Sequence, residues 1–219
     1  AFLQVLDRDL KATRTISLGG ESVADTGHAI FHANSGGRVA CASCHAEGAD
    51  DGRIWKLPEK GRTTRLIRRT PSLLGTMKGT APFHWSGDKD TMRSLMTDVF
   101  QVNMRGPNLS SASLTGVTAW LEGLRPVGTP APSADPSSAL GSSLFSARCE
   151  GCHSGPRLTN NLTMDVGTGG AFQVLSLVGV SWHAPFMHDG CAKTLEERFV
   201  GACGGSAHGD LSGLSESDL

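Results

Sequence analysis

Two periods of hydrophobic and polar residues run along this chain, and each predicts a different kind of element. The segments Leu3-Gln4-Val5-Leu6-Asp7-Arg8-Asp9-Leu10 and Arg14-Thr15-Ile16-Ser17-Leu18-Gly19 read as two short β runs joined by polar residues. Further on, Leu114, Val117, Trp120, Leu121 and Leu124 form a stripe at helical spacing, which predicts a helix over 114–124. A helix is also expected over about 22–33, with Ser22 or Asp25 as its N-cap. Short helices are expected over about 91–100 and 194–200. The pattern predicts a mainly α chain with a short β segment at residues 1–20.

The pattern repeats once. Cys41 to Cys149 is 108 positions, and so is Cys44 to Cys152. Gly27-His28-Ala29-Ile30-Phe31 precedes the first cysteine pair, and Gly141-Ser142-Ser143-Leu144-Phe145 precedes the second. Downstream, Pro71-Ser72-Leu73-Leu74-Gly75 matches Leu175-Ser176-Leu177-Val178-Gly179, and Ala81-Pro82-Phe83-His84-Trp85-Ser86-Gly87 matches Ala184-Pro185-Phe186-Met187-His188-Asp189-Gly190. Four paired landmarks in one order predict two homologous domains, 21–124 and 137–219. Pro126, Pro130, Pro132 and Pro136 make residues 125–136 an extended linker. The second domain has no counterpart of the 114–124 helix. Leu214-Ser215-Glu216-Ser217-Asp218-Leu219 reads as a helix opening with Ser215 as cap, so its last helix is expected to be missing from these residues.

The chemistry sits at Cys41-Ala42-Ser43-Cys44-His45 and Cys149-Glu150-Gly151-Cys152-His153. In a CxxCH motif the two thiols add across the two vinyl groups of haem, and the adjacent histidine is held under the iron as its proximal ligand. The rival is zinc, but ribbon-type zinc sites space their CxxC pairs by about 15–20 residues, far less than here. Two covalent haems are therefore expected on Cys41, Cys44, Cys149 and Cys152, with His45 and His153 as proximal ligands. They would also fill the thin core implied by 38% hydrophobic and 5% aromatic residues in a chain of 219. Met104, in the loop before the 114–124 helix, is the first candidate for a sixth ligand, with Met77, Met92 and Met96 as rivals more typical of a core. In the second half His208 takes the corresponding place. Met187, His188 or a five-coordinate iron are its alternatives. Cys191 and Cys203 remain, and in an oxidising compartment they are expected to pair, with free thiols as the alternative.

With a net charge of −1, nothing suggests a nucleic-acid footprint, which needs a clustered basic surface. No run of 18 or more apolar residues marks a membrane span. The basic stretch from Arg62 to Arg69 is either a solvated face or a set of cations for haem propionates. Gly167-Thr168-Gly169-Gly170 lacks the lysine of a phosphate loop and reads as a turn. Haem attachment of this kind points outside the cytoplasm, periplasmic or extracellular, with an export signal expected to have preceded Ala1.

These motifs resemble the diheme cytochrome c peroxidase and MauG-like superfamily, and most of all the diheme modules that follow YVTN β-propellers. The resemblance is strongest in Ser176–Gly179, Ala184–Gly190 and Thr194–Glu197, and in Ala40–His45, Asp51–Arg53 and Thr80–Trp85. It implies two tandem class I cytochrome c-like domains with haems facing a cleft, and it admits an inter-domain calcium ion. Trp85 would lie between the haems, with a packed core tryptophan as the alternative. Residues 1–20 would be the end of a propeller blade, or else a simple hairpin. Three departures weaken an enzymatic reading. The segment Thr91–Met96 has no Glu or Gln where peroxidases carry an assisting group, both halves have candidate sixth ligands, and the chain has no Tyr. The expected function is a relay of single electrons between a protein donor and acceptor, alone or as a module in a larger redox assembly. The alternative is a peroxidase with His84 as distal acid–base group.

Overall fold

The structure is a computed structural model that describes residues 2–17, 25–58, 65–128, 135–200, 203 and 205–215. β1 (Phe2–Leu6) and β2 (Ala12–Ser17) form an antiparallel hairpin, with Phe2 opposite Ser17 and Leu6 opposite Ala12. Leu3, Val5, Leu6 and Ile16 stay exposed on it. The hairpin is present; its belonging to a propeller blade stays an expectation.

α1 (Thr26–His32) begins at Asp25, whose side chain accepts from His28 N at 3.1 Å. That cap satisfies one of the free amides at the helix start. The other expected cap, Ser22, lies outside the described residues. α1 crosses α3 (Ser111–Gly123), which is capped by Ser110 accepting from Ser113 N at 3.0 Å. The crossing is backbone against backbone. A Cβ on Gly27 would stand 2.4 Å from Gly116 O and 2.5 Å from Trp120 Cβ. Between them runs α2 (Met92–Leu95), capped by Thr91 and prolonged as a π-helical stretch over Met96–Asn103. Phe31, Met77, Met92, Met96, Phe100, Val117 and Leu121 form the core of this half, with Phe31 and Val117 fully buried.

The second half is organised differently. α4 (Pro136–Arg148) starts with Pro136 at its first turn and Asp135 as N-cap, and runs directly into Cys149. α5 (Leu195–Val200) is a short helix. Buried apolar residues among those described beyond residue 135 are Val174, Ala192 and Cys203. The expected opening helix at 214–219 falls mostly outside the described residues, as do 129–134 of the linker and 62–64 of the basic stretch.

The expectation of a mainly α fold of two class I cytochrome domains is corrected here. Among the described residues, five α-helices share the chain with three two-stranded antiparallel sheets. The second sheet pairs β3 (Ile54–Pro58) with β4 (Arg65–Arg69), Ile54 opposite Arg69. The third pairs β5 (Thr163–Asp165) with β6 (Ala171–Gln173), Thr163 opposite Gln173. Both follow a CxxCH motif. The physical reason is that Ile54, Trp55, Leu66 and Ile67 are residues that suit a pleated surface, while their arginine neighbours disguise the strand as a charge run.

Candidate functional site

The two CxxCH motifs have the same backbone geometry. His45 N donates to Cys41 O at 2.9 Å and His153 N to Cys149 O at 2.9 Å. Cys44 N donates to Cys41 O at 3.2 Å, and Cys152 N to Cys149 O at 3.1 Å. Each turn places both thiols and the imidazole on one tight loop of backbone. All four cysteines are free and half-buried. Burial pushes the Cys41 thiol up to about 11, and raises Cys44 and Cys149 as well, so these are not activated thiolates. Nor do the motifs meet to form a metal cage. Among the described residues the only trio of His, Cys, Asp or Glu side chains close enough to share an ion is His28, His32 and Glu47.

Both histidines fit the role of haem ligand. His153 is half-buried and its Nδ1 lies 3.2 Å from Leu158 O. A carbonyl only accepts, so Nδ1 carries the proton and Nε2 keeps its lone pair. His45 Nδ1 is covered and has no hydrogen-bond partner. Burial is the main cause that lowers the pKa of both rings, keeping them neutral and able to ligate.

The sixth-ligand candidates differ. Met104 ends the π-helical stretch, its N donating to Val99 O at 2.9 Å. Its carbonyl accepts from Gly37 N at 3.0 Å and Ser35 Oγ at 2.6 Å, which pins the loop. Gly37 allows this approach, since a Cβ there would lie 2.6 Å from Met104 O. The Met104 side chain is half-buried and packs on the same core as Cys41, Ala42 and Leu73. Met77, Met92 and Met96 are core members. His208 lies on a 3₁₀ turn facing His153, ring centroids 6.3 Å apart and planes tilted by 36°. Arg198 Nε donates to His208 Nδ1 at 3.1 Å, and its guanidinium also donates to His208 O. Burial first, then Arg198 and His153, push His208 down to about 4. Cys191 and Cys203 are bonded to each other, their Cα atoms 5.9 Å apart, which fastens the chain ahead of His208.

Between the motifs lies a junction that the two halves build reciprocally. The segments 81–87 and 184–190 have matching backbones. His84 and Met187 sit at φ 77° and 71°, Gly87 and Gly190 at 60° and 69°, and both Ala-Pro peptides are cis. Phe83 bridges Lys89 as Phe186 bridges Ala192. Arg69 N, at the end of β4, donates to His188 O at 2.8 Å, and Gln173 N, at the end of β6, donates to Trp85 O at 2.9 Å. Trp85 Nε1 donates to Arg69 O at 2.8 Å. Its ring meets His188 edge to face, and His188 stacks on Phe172 with centroids 3.8 Å apart. Beneath them Asp50 is paired with Arg69 at 3.1 Å and with His183 Nδ1 at 2.7 Å, all three side chains nearly buried. Sequence reasoning named Trp85 and His188 but missed Asp50, Arg69 and His183. The signal was there only in part, as Asp50 follows the first motif and Arg69 ends the basic stretch. His84 stands at the edge of this junction, 47% exposed, with Nδ1 3.0 Å from Asp88 Oδ1.

The chain shares its fold with two solved structures. A chain of hydrazine synthase from Kuenenia stuttgartiensis is similar with a TM-score of 0.72 and 22% identity, over 88% of this chain and 82% of that one. A MauG-like protein associated with microbial copper homeostasis is similar with a TM-score of 0.60 and 17% identity, over 83% of this chain and 75% of that one. No family model and no curated protein sequence matches the chain. At these identities the likeness establishes a shared fold and nothing further.

Proposed function

We propose that this chain is a diheme redox protein that relays single electrons between partner proteins outside the cytoplasm. Cys41, Cys44 and His45 would hold one haem, and Cys149, Cys152 and His153 the other, each in its own domain, 21–124 and 137–219. Bound haem supplies an iron that changes oxidation state by one electron. The protein's part is to fix each proximal imidazole, to offer Met104 and His208 as sixth ligands, and to lay the aromatic contact of Trp85 and His188 between the halves. Different sixth ligands would set different potentials, a methionine above a histidine. The observation that carries the reading is the pair of backbone hydrogen bonds shared by both CxxCH motifs, each with a neutral half-buried histidine. The likeness to a MauG-like protein and to a hydrazine synthase chain supports a redox role, alone or within a larger assembly. The disulfide supports an oxidising compartment. Among the described residues no helix is long and apolar enough to cross a membrane.

The test is to produce the chain with haem-attachment machinery and measure its mass and Soret absorbance. Two haems are expected, and Cys44→Ser and Cys152→Ser should each lose about half the absorbance. A colourless protein would overturn the proposal. Stoichiometric titration should give two one-electron waves. Fast cyanide binding together with peroxide turnover that falls in His84→Gln would replace the relay with a peroxidase, for which the His84–Asp88 pair is the favouring observation.

A further inference from the structure

We propose that His28, His32 and Glu47 form a binding site for one divalent transition-metal ion of the zinc class, separate from the cysteine motifs. His28 and His32 stand four apart on α1, so both project from one face. Their rings stack with centroids 4.0 Å apart and planes 30° apart. Glu47 comes from the turn after the first CxxCH motif, where its backbone is left-handed at φ 50° and ψ 31°. That turn carries the carboxylate back over α1. One ligand atom from each of the three residues lies within 4.8 Å of the others.

The hydrogen bonds of His32 point to a cation. Its Nδ1 is 2.9 Å from His28 O, and a carbonyl only accepts, so Nδ1 holds the proton. In the neutral ring Nε2 then presents a lone pair, and it faces Glu47 Oε1 at 2.9 Å, which is also an acceptor. Two acceptors at that distance need a positive species bound to both. A proton on the ring is one solution, and a metal ion is the other. Neighbouring ligands that each sit ~2.0–2.2 Å from a tetrahedral zinc ion are about 3.3–3.6 Å apart, so the 2.9 Å pair has to open by about half an ångström to admit the ion, a small rotamer adjustment for the exposed Glu47 side chain. A ligating histidine that donates its second N–H to a backbone carbonyl is also the usual outer arrangement of metal sites. His28 supplies the third ligand and leaves a fourth position open to water, a two-histidine, one-carboxylate set. Trp120 borders the site edge-on, its ring centroid 5.8 Å from that of His28 and 6.0 Å from that of His32. A bound ion would join α1 to the turn that follows His45.

The experiment is calorimetric titration of the full haem-loaded chain with Zn²⁺ after removal of adventitious metal. One tight site per chain is expected. His28→Ala and His32→Ala should each weaken it by at least about 100-fold, and Glu47→Gln by about 10-fold, within the range or beyond it for losing metal-supporting groups. His28 and Glu47 are exposed and His32 is half-buried, and the Soret spectrum of each variant reports an intact fold. No saturable Zn²⁺ binding, or a binding curve unchanged in His32→Ala, would overturn the proposal and leave His32 and Glu47 as a protonated ion pair. The haem assignment stands or falls separately, on the mass and colour of the same samples.

Discussion

Trp85 and His188 occupy corresponding places in the two repeated motifs, and they meet edge to face with ring centroids 6.2 Å apart and planes at 71°. The backbone around them is exchanged in kind, with Arg69 N reaching His188 O and Gln173 N reaching Trp85 O. Each half thus uses the end of its own small sheet to grip the other half's motif, much as a two-fold dimer interface pairs one patch with its copy. The result is a fixed aromatic contact along the line joining the halves.

Trp85→Phe should keep the packing and lose the hydrogen bond from Nε1 to Arg69 O. A net loss of about 1 kcal/mol in unfolding free energy is expected. If the contact carries electrons between two haems, internal electron exchange followed by stopped-flow absorbance should slow, with both midpoint potentials unmoved. An unchanged rate would assign Trp85 to packing alone.

Asp50 is paired with the Arg69 guanidinium and the His183 imidazole at the same junction, and its removal strands the guanidinium. The side chains of Asp50 and Arg69 are 8% and 6% exposed. Asp50→Ala leaves the Arg69 guanidinium nearly buried without its carboxylate, and breaking such a pair costs about 3–5 kcal/mol. Guanidinium unfolding should show a midpoint far below the parent's. The combined change Asp50→Leu with Arg69→Met, which removes both charges, should recover most of that loss. Equal damage from the single and combined changes would mean that shape, not charge, holds this place.

How much of this was legible in the sequence varies with the range of the interaction that decides it. The repeat, the CxxCH motifs, the cap at Asp25, the 114–124 stripe and the Cys191–Cys203 pair are written in short spacings, and a one-dimensional reading reaches them. The hairpins β3–β4 and β5–β6 were not reached. Their strands are short, and in Arg65–Arg69 the three arginines flanking Leu66 and Ile67 mimic a solvated charge run, though Arg69 turns inward to Asp50. The Asp50–Arg69–His183 group joins residues 19 to 133 positions apart along the chain, and only the docking of the two halves brings them together. His208 shows the same limit. Its position by counting was readable, but the arginine that occupies its Nδ1 was not.

Gly27 shows how a single missing carbon sets a helix crossing. With a Cβ 2.4 Å from Gly116 O and 2.5 Å from Trp120 Cβ, Gly27→Ala cannot be absorbed by a rotamer change, because the first of these is backbone. α1 must move off α3, and overpacking of this kind costs about 1–3 kcal/mol. The gain in helix propensity from Gly to Ala, up to about 1 kcal/mol, offsets part of it. Thermal unfolding should therefore occur at a lower temperature than in the parent, and Gly141→Ala, where a Cβ meets nothing within 4 Å in α4, should raise it.

Arg198 decides whether His208 is free to act as a ligand. Its Nε–H donates to His208 Nδ1, so the neutral ring holds its own proton on Nε2, the nitrogen that would otherwise offer a lone pair toward His153. The nearly buried guanidinium also donates to His208 O, which holds the loop in place while it blocks the tautomer. Arg198→Met keeps the length of the side chain and removes both donors. Nδ1 can then take the proton and Nε2 becomes the open nitrogen. In the haem-loaded protein the variant should show a larger low-spin fraction at the second haem and slower cyanide binding than the parent. His208→Ala in the same background should reverse both changes. If Arg198→Met leaves spin state and cyanide rate where they were while His208→Ala alters them, then His208 ligates in the parent and the arginine contact gives way when iron is bound. If neither substitution moves the spectrum, the sixth position of that haem belongs to another group, and His208 serves only to seat Arg198.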